Sequence, residues 1–498
     1  MAAIITEKFR LHNATQFEES FSESSNNVYY LFIGKSTPFT AGTSGGSDAS
    51  PPTPSDGPAD EFYAWDDMIA AKNIGAASIQ RVLPRRNWAN GTVYDMYRPD
   101  YSSSVTATSG SSNLYDSTFY FITSAFRIYK VLSNNSGAAY SGTEPTSTTT
   151  SPFASGGYVL QYMYTLTAGQ INNFLTADFM PVATDTVVSA AAIDGSIDSL
   201  IITAGSGYTN GTYYAAVYGD GTSQGTSSGG IVSIVVASGA IQDFGLTAGT
   251  DTTIYSAGAG YTFGTVNLAA GYTFSDVALS TASNIGGSGG SVNIVSSPKG
   301  GHGFNAPSEL GGHYVMLATT LTAAEGDDVS TENDFRKLGI IVDPNTFGTT
   351  SVATISTARL TYAIKTTSQS GTFDGDEKIS QATTGAIGKV VEWDSGNSIL
   401  YYSQERFGDY GTNGTTGAYV AFSGANVVTG ATSGAVGTPD ASADSAVTLS
   451  GGNTITFADG YANPELAADS GDIIYLENRK PISRSSDQIE DIKVIVEF

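Results

Sequence analysis

Ile231-Val-Ser-Ile-Val-Val236 carries five β-branched residues in six, no charge, and glycine-containing turn clusters on both sides. Such side chains lose χ1 freedom in a helix, and a run this short between breakers reads as a buried strand. Leu200-Ile-Ile-Thr203 upstream has the same character, so residues 185–298 predict an all-β module. Within it, Ala204-Gly-Ser-Gly-Tyr-Thr209, followed by Gly211-Thr212, recurs as Ala257-Gly-Ala-Gly-Tyr-Thr262, followed by Gly264-Thr265, at an offset of 53 residues. The repeat predicts two related β units, whose glycines allow positive-φ turns at strand ends and whose tyrosines cap a small core.

Toward the amino terminus, Val28-Tyr-Tyr-Leu-Phe-Ile33 is an apolar aromatic run closed by Gly34, a second buried strand. Before it, Phe9, Asn13, Phe17 and Phe21 recur every four residues within 4–24, the spacing of a short amphipathic helix. The Pro-rich stretch 40–58 predicts an exposed loop. Phe62, Trp65, Met68 and Ile69 behind an acidic start predict a second helix over 60–73. Residues 117–122 and 126–132 read as a hairpin and 157–164 as an aromatic strand, in an N-terminal α+β region spanning 1–184.

Toward the carboxyl terminus, 312–317 and 338–342 predict strands of a core β segment, 299–357, around an acidic loop at 325–332. A second β insertion, 358–455, contains Ile379-Ser-Gln-Ala-Thr-Thr-Gly-Ala-Ile-Gly388, echoed by Val428-Thr-Gly-Ala-Thr-Ser-Gly-Ala-Val-Gly437. Each copy reads as strand, tight turn, strand. Residues 472–476 and 492–498 predict strands joined through a loop at Pro481, in a C-terminal segment, 456–498, that packs back on the core. The fold expected is mainly β, a β-rich α+β chain of antiparallel sheets or barrels in several domains, with a few short helices and two inserted all-β modules.

Composition supports this reading. Only 14% of the 498 residues are charged and 58 are Gly, which favours strands joined by turns, while 40% hydrophobic residues can fill several cores. With 22 Lys and Arg against 47 Asp and Glu, the net charge of −25 lacks the basic footprint of nucleic-acid binding and repels anionic membranes. The absence of Cys excludes disulfides and thiolate chemistry. Charges at Glu7, Lys8 and Arg10 are unlike a signal peptide, and no apolar run approaches the roughly 20 residues of a membrane span. Neither direct nucleic-acid contact nor membrane insertion is expected.

No constellation of side chains points to catalysis, so the expected catalytic, cofactor-binding and metal residues are none. His12, His302 and His313 have no metal-ligand spacing. Gly-x-Ser-x-Gly occurs at 42–46 and 286–290 in Gly/Ser-rich loops rather than between strand and helix. Gly388-Lys389-Val390 lacks the first glycine and the final hydroxyl of a phosphate loop. Asp374-Gly-Asp-Glu377 lacks the remaining ligands of a helical calcium loop and reads as an acidic turn.

Two end motifs carry a resemblance. Val82-Leu-Pro-Arg85-Arg86-Asn87-Trp88, followed by Tyr94-Asp95, resembles the amino-terminal motif of the baseplate wedge subunit family of T-even-type contractile-tailed phages. Ser470-Gly-Asp-Ile-Ile-Tyr475-Leu-Glu477-Asn478-Arg479-Lys-Pro481-Ile482, with Asp487-Gln488, is similar to that family's closing segment, and Asp334-Phe335-Arg336 and Gly34-Lys-Ser-Thr-Pro-Phe39 also resemble it. The resemblance covers roughly 4–183, 299–345 and 456–498, leaving the two β insertions outside it. It implies a non-enzymatic structural protein that needs no cofactor, forms a homodimer, joins other baseplate wedge proteins, is assembled in the host cytoplasm and resides in the virion's tail baseplate. Arg85, Arg86, Trp88, Glu477, Asn478 and Arg479 are the candidate structural or interface residues. A rival reading, a tail-associated receptor or carbohydrate-binding protein, draws on the Gly-Tyr-Thr repeats.

Overall fold

The computed structural model describes residues 6–23, 27–39, 45–221, 229–268, 285–331, 333–406, 411–412, 418–441 and 445–498. The start and end of the expected first helix (4–5 and 24), residues 40–44 of the Pro-rich loop with part of the first Gly-x-Ser-x-Gly string, and Glu332 lie outside them. Of the described residues, 42% lie in strands and 11% in helices, a multidomain β-rich fold. It divides into two compact units, the first made of residues 1–16, 80–316 and 495–498, the second of 17–79 and 317–494.

In the second unit, five strands form an antiparallel sheet in the order Thr357–Arg359, Met68–Ile74, Tyr29–Gly34, Asp334–Val342, Asp472–Ser483. The central strand, Tyr29–Gly34, is buried throughout, as its unbroken apolar run predicts. Tyr30, Phe32, Ala71 and Ile341 pack with Trp65 and Leu466 beneath it. The expected second helix ends early: helix occupies Pro58–Asp67, and Met68–Ile74 is a strand. Here ladder pairing on both sides overrides helical spacing. A Cβ on Gly34 would lie 2.6 Å from the Asp67 carbonyl oxygen, and Lys35 N donates to that oxygen at 2.7 Å, so the chain must straighten there.

The same unit holds a closed ring of six strands. Tyr362–Ser370, Ile399–Ser403, Ala386–Asp394, Lys378–Gln381, Val428–Gly430 and Val436–Pro439 pair in that order, and the last returns to the first. Ile364, Phe373, Ile379, Val390 and Leu400 fill its interior. Both echoed hairpins form, with Gly385 and Gly434 at positive φ in their turns, and they pair with each other at Ile379 and Gly430. Pro481 departs from expectation by lying inside the strand Asp472–Ser483 rather than in a loop. The strand is a sheet edge, where proline is tolerated because no neighbour needs its missing N–H.

In the first unit, the expected hairpin is Tyr120–Ile122 with Arg127–Ser133, extended by Tyr158–Thr165 and Phe153–Ser155 into a four-stranded antiparallel sheet. A larger sheet runs Ala240–Ile241, Ile231–Ala237, Gly211–Gly219, Gly264–Val266, Ser291–Ser296, Ile197–Thr203, with Thr253–Ser256 also on Ile231–Ala237. Ile197, Val217, Ile234 and Val292 form its core with Tyr208 and Tyr261.

The first helix, Glu7–Glu19, buries Leu11 and Ala14 and leaves Phe9 53% exposed, so the expected Phe stripe is not its buried face. Four-residue steps overshoot a full turn by roughly 40° each, and a stripe built on them drifts around the helix. Phe21 lies past the helix end, stacked on Tyr29 at 3.9 Å.

Candidate functional site

The amino-terminal motif begins on the strand Ile79–Pro84, whose Val82, Leu83 and Pro84 pair with Phe179–Pro181. Arg85 donates from Nε to Asn87 Oδ1 at 2.9 Å and from Nη1 to the Thr176 carbonyl at 2.8 Å. The Arg86 guanidinium lies 4.3 Å over the Tyr120 ring and reaches the Tyr115 carbonyl at 3.3 Å. Trp88 donates its backbone N–H to Ile122 at 2.8 Å and meets Tyr140 edge-on at 5.8 Å. Asp95 is fully buried and accepts from Ser109 N and Oγ at 2.9 and 2.6 Å and from Thr118 N and Oγ1 at 2.7 and 3.0 Å. Burial alone would raise its pKa, but these donors hold it below the usual carboxylate range.

The carboxyl-terminal motif lies on Asp472–Ser483 in the second unit, with Glu477 opposite Leu338 and Asn478 opposite Lys337. Tyr475 Oη donates to Glu477 Oε2 at 2.8 Å, and Asn478 Nδ2 donates to the Pro52 carbonyl at 2.9 Å. Arg479 is exposed, its Nε 3.8 Å from Glu477 Oε1. The six candidates therefore form two groups, one in each unit.

Sequence reasoning missed the buried charge clusters. In the first unit, the Lys130 ammonium is fully buried, touches Glu309 Oε1 and His302 Nδ1, and sits 4.0 Å over the Tyr97 ring. Glu309 Oε1 lies 2.9 Å from His302 Nδ1, and Glu309 Oε2 accepts from Gly303 N at 2.7 Å. Burial pulls the Lys130 pKa down; it pushes that of Glu309 up, but the charge of Lys130 and the hydrogen bond to His302 prevail and hold it at about 2. In the second unit, Arg336 forks onto Asp48 at 3.0 Å through both Nε and Nη2, also reaching Asp334 and the Ser36 carbonyl. Buried Asp67 takes Lys337 at 2.5 Å and Lys35 at 3.7 Å. One signal was readable: a lone Lys in an apolar strand such as Arg127–Ser133 must find an anion.

The chemical motifs resolve into packing. Lys389 of the phosphate-loop look-alike lies inside the strand Ala386–Asp394, paired with Asp376 at 2.8 Å. Glu377 accepts from Asp374, Thr432 and Ser433 backbone N–H groups at 2.9 Å each, stapling a turn. Gly286–Ser288 is a strand followed by another strand, Ser291–Ser296, not by a helix. His12 is exposed; His302 and His313 are buried. Tyr208 and Tyr261, 7% and 2% exposed, use their hydroxyls to accept Gly290 N at 2.9 Å and Gly230 N at 3.1 Å. The ring faces on which the carbohydrate-binding reading drew are therefore inside the core. Among the described residues no His, Asp or Glu group has metal-site geometry, and no helix is long and apolar enough to cross a membrane.

Residues 3–151 and 445–498 match the family model described as bacteriophage T4 Gp8, and 152–444 lie outside the match. A comparison with curated proteins gives no match. The matched segments contain both end motifs, and with them Arg85, Arg86, Trp88, Asp95, Glu477, Asn478 and Arg479. Through these two ends the chain is similar to that family, whose members are structural proteins of the phage tail baseplate.

Proposed function

We propose that this chain is a wedge subunit that holds neighbouring baseplate proteins in register during assembly and lets their contacts rearrange when the tail contracts. It works without a catalytic step, as a homodimer assembled in the host cytoplasm. The observation that carries the reading is the family match at both ends, joined to what the matched residues do. Arg85, Arg86 and Asp95 hydrogen-bond within their own chain, and Trp88 packs its ring against Tyr140, as structural residues do, whereas Arg479 remains exposed.

In this reading 1–184, 299–357 and 456–498 form the wedge body, and 185–298 and 358–455 are β modules added to it. The unmatched span 152–444 contains the first addition whole and most of the second. The test is to mix the purified chain with the other baseplate proteins of its own phage and to size the products by light scattering. A defined complex with at least one of them is expected; a chain that stays apart from all of them would overturn the proposal.

A further inference from the structure

Asp472–Ser483 is twelve residues long and ends its sheet. Its ladder partner is Asp334–Val342, and its other edge makes no backbone hydrogen bond with any described residue. An edge of this kind is a template for another strand, and proteins usually blunt it with bulges, proline or charge. Here the ladder skips at Ile474 and again around residues 479–481, so Tyr475–Asn478 is a regular stretch between two irregular ends. Ile474 is 46% exposed.

Beside this edge, between residues 472–476 and the loop and helix start at 54–61, runs a groove of about 580 Å³. Asp56, Glu61 and Asp472 line it, and among the described residues no ion pair engages them. At the strand's other end, Arg479 and Lys480 are exposed. The strand thus begins on an acid and, past Glu477 beside Arg479, carries two exposed cations toward its end.

We propose that this edge pairs antiparallel with the same strand of a second copy about a two-fold axis, setting Asp472 and the acidic groove of each copy beside Arg479 and Lys480 of the other. This rests on the homodimer reading above and names its surface. Copies carrying a net charge of −25 repel one another overall, so a self-contact forms where opposite charges are brought together. An antiparallel arrangement does so twice, once at each end, and the two-fold makes every contact reciprocal. A parallel arrangement would oppose like with like. The edge supplies backbone pairing, and Ile474 supplies an apolar contact.

The full-length chain is sized by light scattering as wild type and as two variants. The first combines Arg479→Glu with Lys480→Glu, and the second combines Asp56→Lys with Asp472→Lys. All four positions lie at the edge or its groove, and circular dichroism checks that each variant folds. Wild type is expected to be a dimer, and each variant to self-associate at least about tenfold more weakly, because each opposes like charges. Mixing the two variants is expected to restore a dimer, since each then faces its complement. A wild-type monomer would overturn both this surface and the homodimer. Variants that remain dimers, or monomeric variants that fail to combine on mixing, would overturn the surface while leaving the homodimer standing.

Discussion

Removing one partner of the Lys130–Glu309 pair should damage the first unit far more than removing both. Lys130 is fully buried and Glu309 is 6% exposed, so neither charge can turn to water when its partner goes. One-sided loss of such a pair costs about 3–5 kcal/mol, whereas replacing both members with apolar residues of similar volume is often neutral or stabilising. After Lys130→Met, Glu309 keeps Gly303 N–H at 2.7 Å and His302 at 2.9 Å, which puts this variant near the lower figure. Glu309→Leu strands the ammonium against an imidazole and the Tyr97 ring and belongs near the upper one. The double variant should fall within about 1 kcal/mol of wild type, well short of the sum of the single losses. Trp88 makes the assay specific, because the other two tryptophans, Trp65 and Trp393, belong to the second unit. With both replaced by Phe, Trp88 fluorescence follows the unfolding of the first unit. A loss of about 3 kcal/mol should lower its midpoint by roughly 6–12 °C at this size. Additive losses in the double variant, or single variants within about 1 kcal/mol of wild type, would refute the reasoning.

Asp95→Asn should destabilise the first unit by about 3 kcal/mol, since two serine and two threonine donors lose a charged acceptor. Because the folded pKa of Asp95 is depressed, its contribution is present above the unfolded value and lost as pH falls through the folded one; acid titration of Asp95→Asn should show a shallower decline than wild type. Tyr208→Phe should cost about 1–3 kcal/mol by stranding the Gly290 N–H, and Gly287→Ala more, because its Cβ would lie 2.4 Å from the Tyr208 ring at a φ of +71°; thermal melts rank the two. Burial, reinforced by the charge of Asp67, raises Glu405 to about 7, so the second unit should lose about 3 kcal/mol as pH rises from 4.5 to 7, and Glu405→Gln should flatten that slope in denaturation followed at each pH.

Strands were legible wherever local sequence was enough. Val28-Tyr-Tyr-Leu-Phe-Ile33 and Ile231-Val-Ser-Ile-Val-Val236 are strands because their side chains leave little alternative. The echoed hairpins carry their own turn glycines, Gly385 and Gly434. Met68–Ile74 was misread because Phe62, Trp65, Met68 and Ile69 have helical spacing, and only strands distant in sequence, Tyr29–Gly34 and Thr357–Arg359, decide otherwise. The same distance hid the charge clusters: Lys130 meets Glu309 across 179 positions and Arg336 meets Asp48 across 288. Asp95 was visible in a motif, yet its donors at Ser109 and Thr118 are ordinary loop residues whose role appears only in three dimensions. The candidate residues were found through their resemblance to a family, and their physical role emerged afterwards, in internal bonds for Arg85 and Arg86 and in exposure for Arg479.

The most direct test of the structural role is to image the phage that encodes this chain, by electron cryo-microscopy of its tail before and after contraction. The two β-rich units should be found in the baseplate in both states, each bound to neighbouring subunits, with at least one contact altered between them. A baseplate that lacks the chain, or one that carries it only as a detachable outer appendage contacting no wedge protein, would contradict the account.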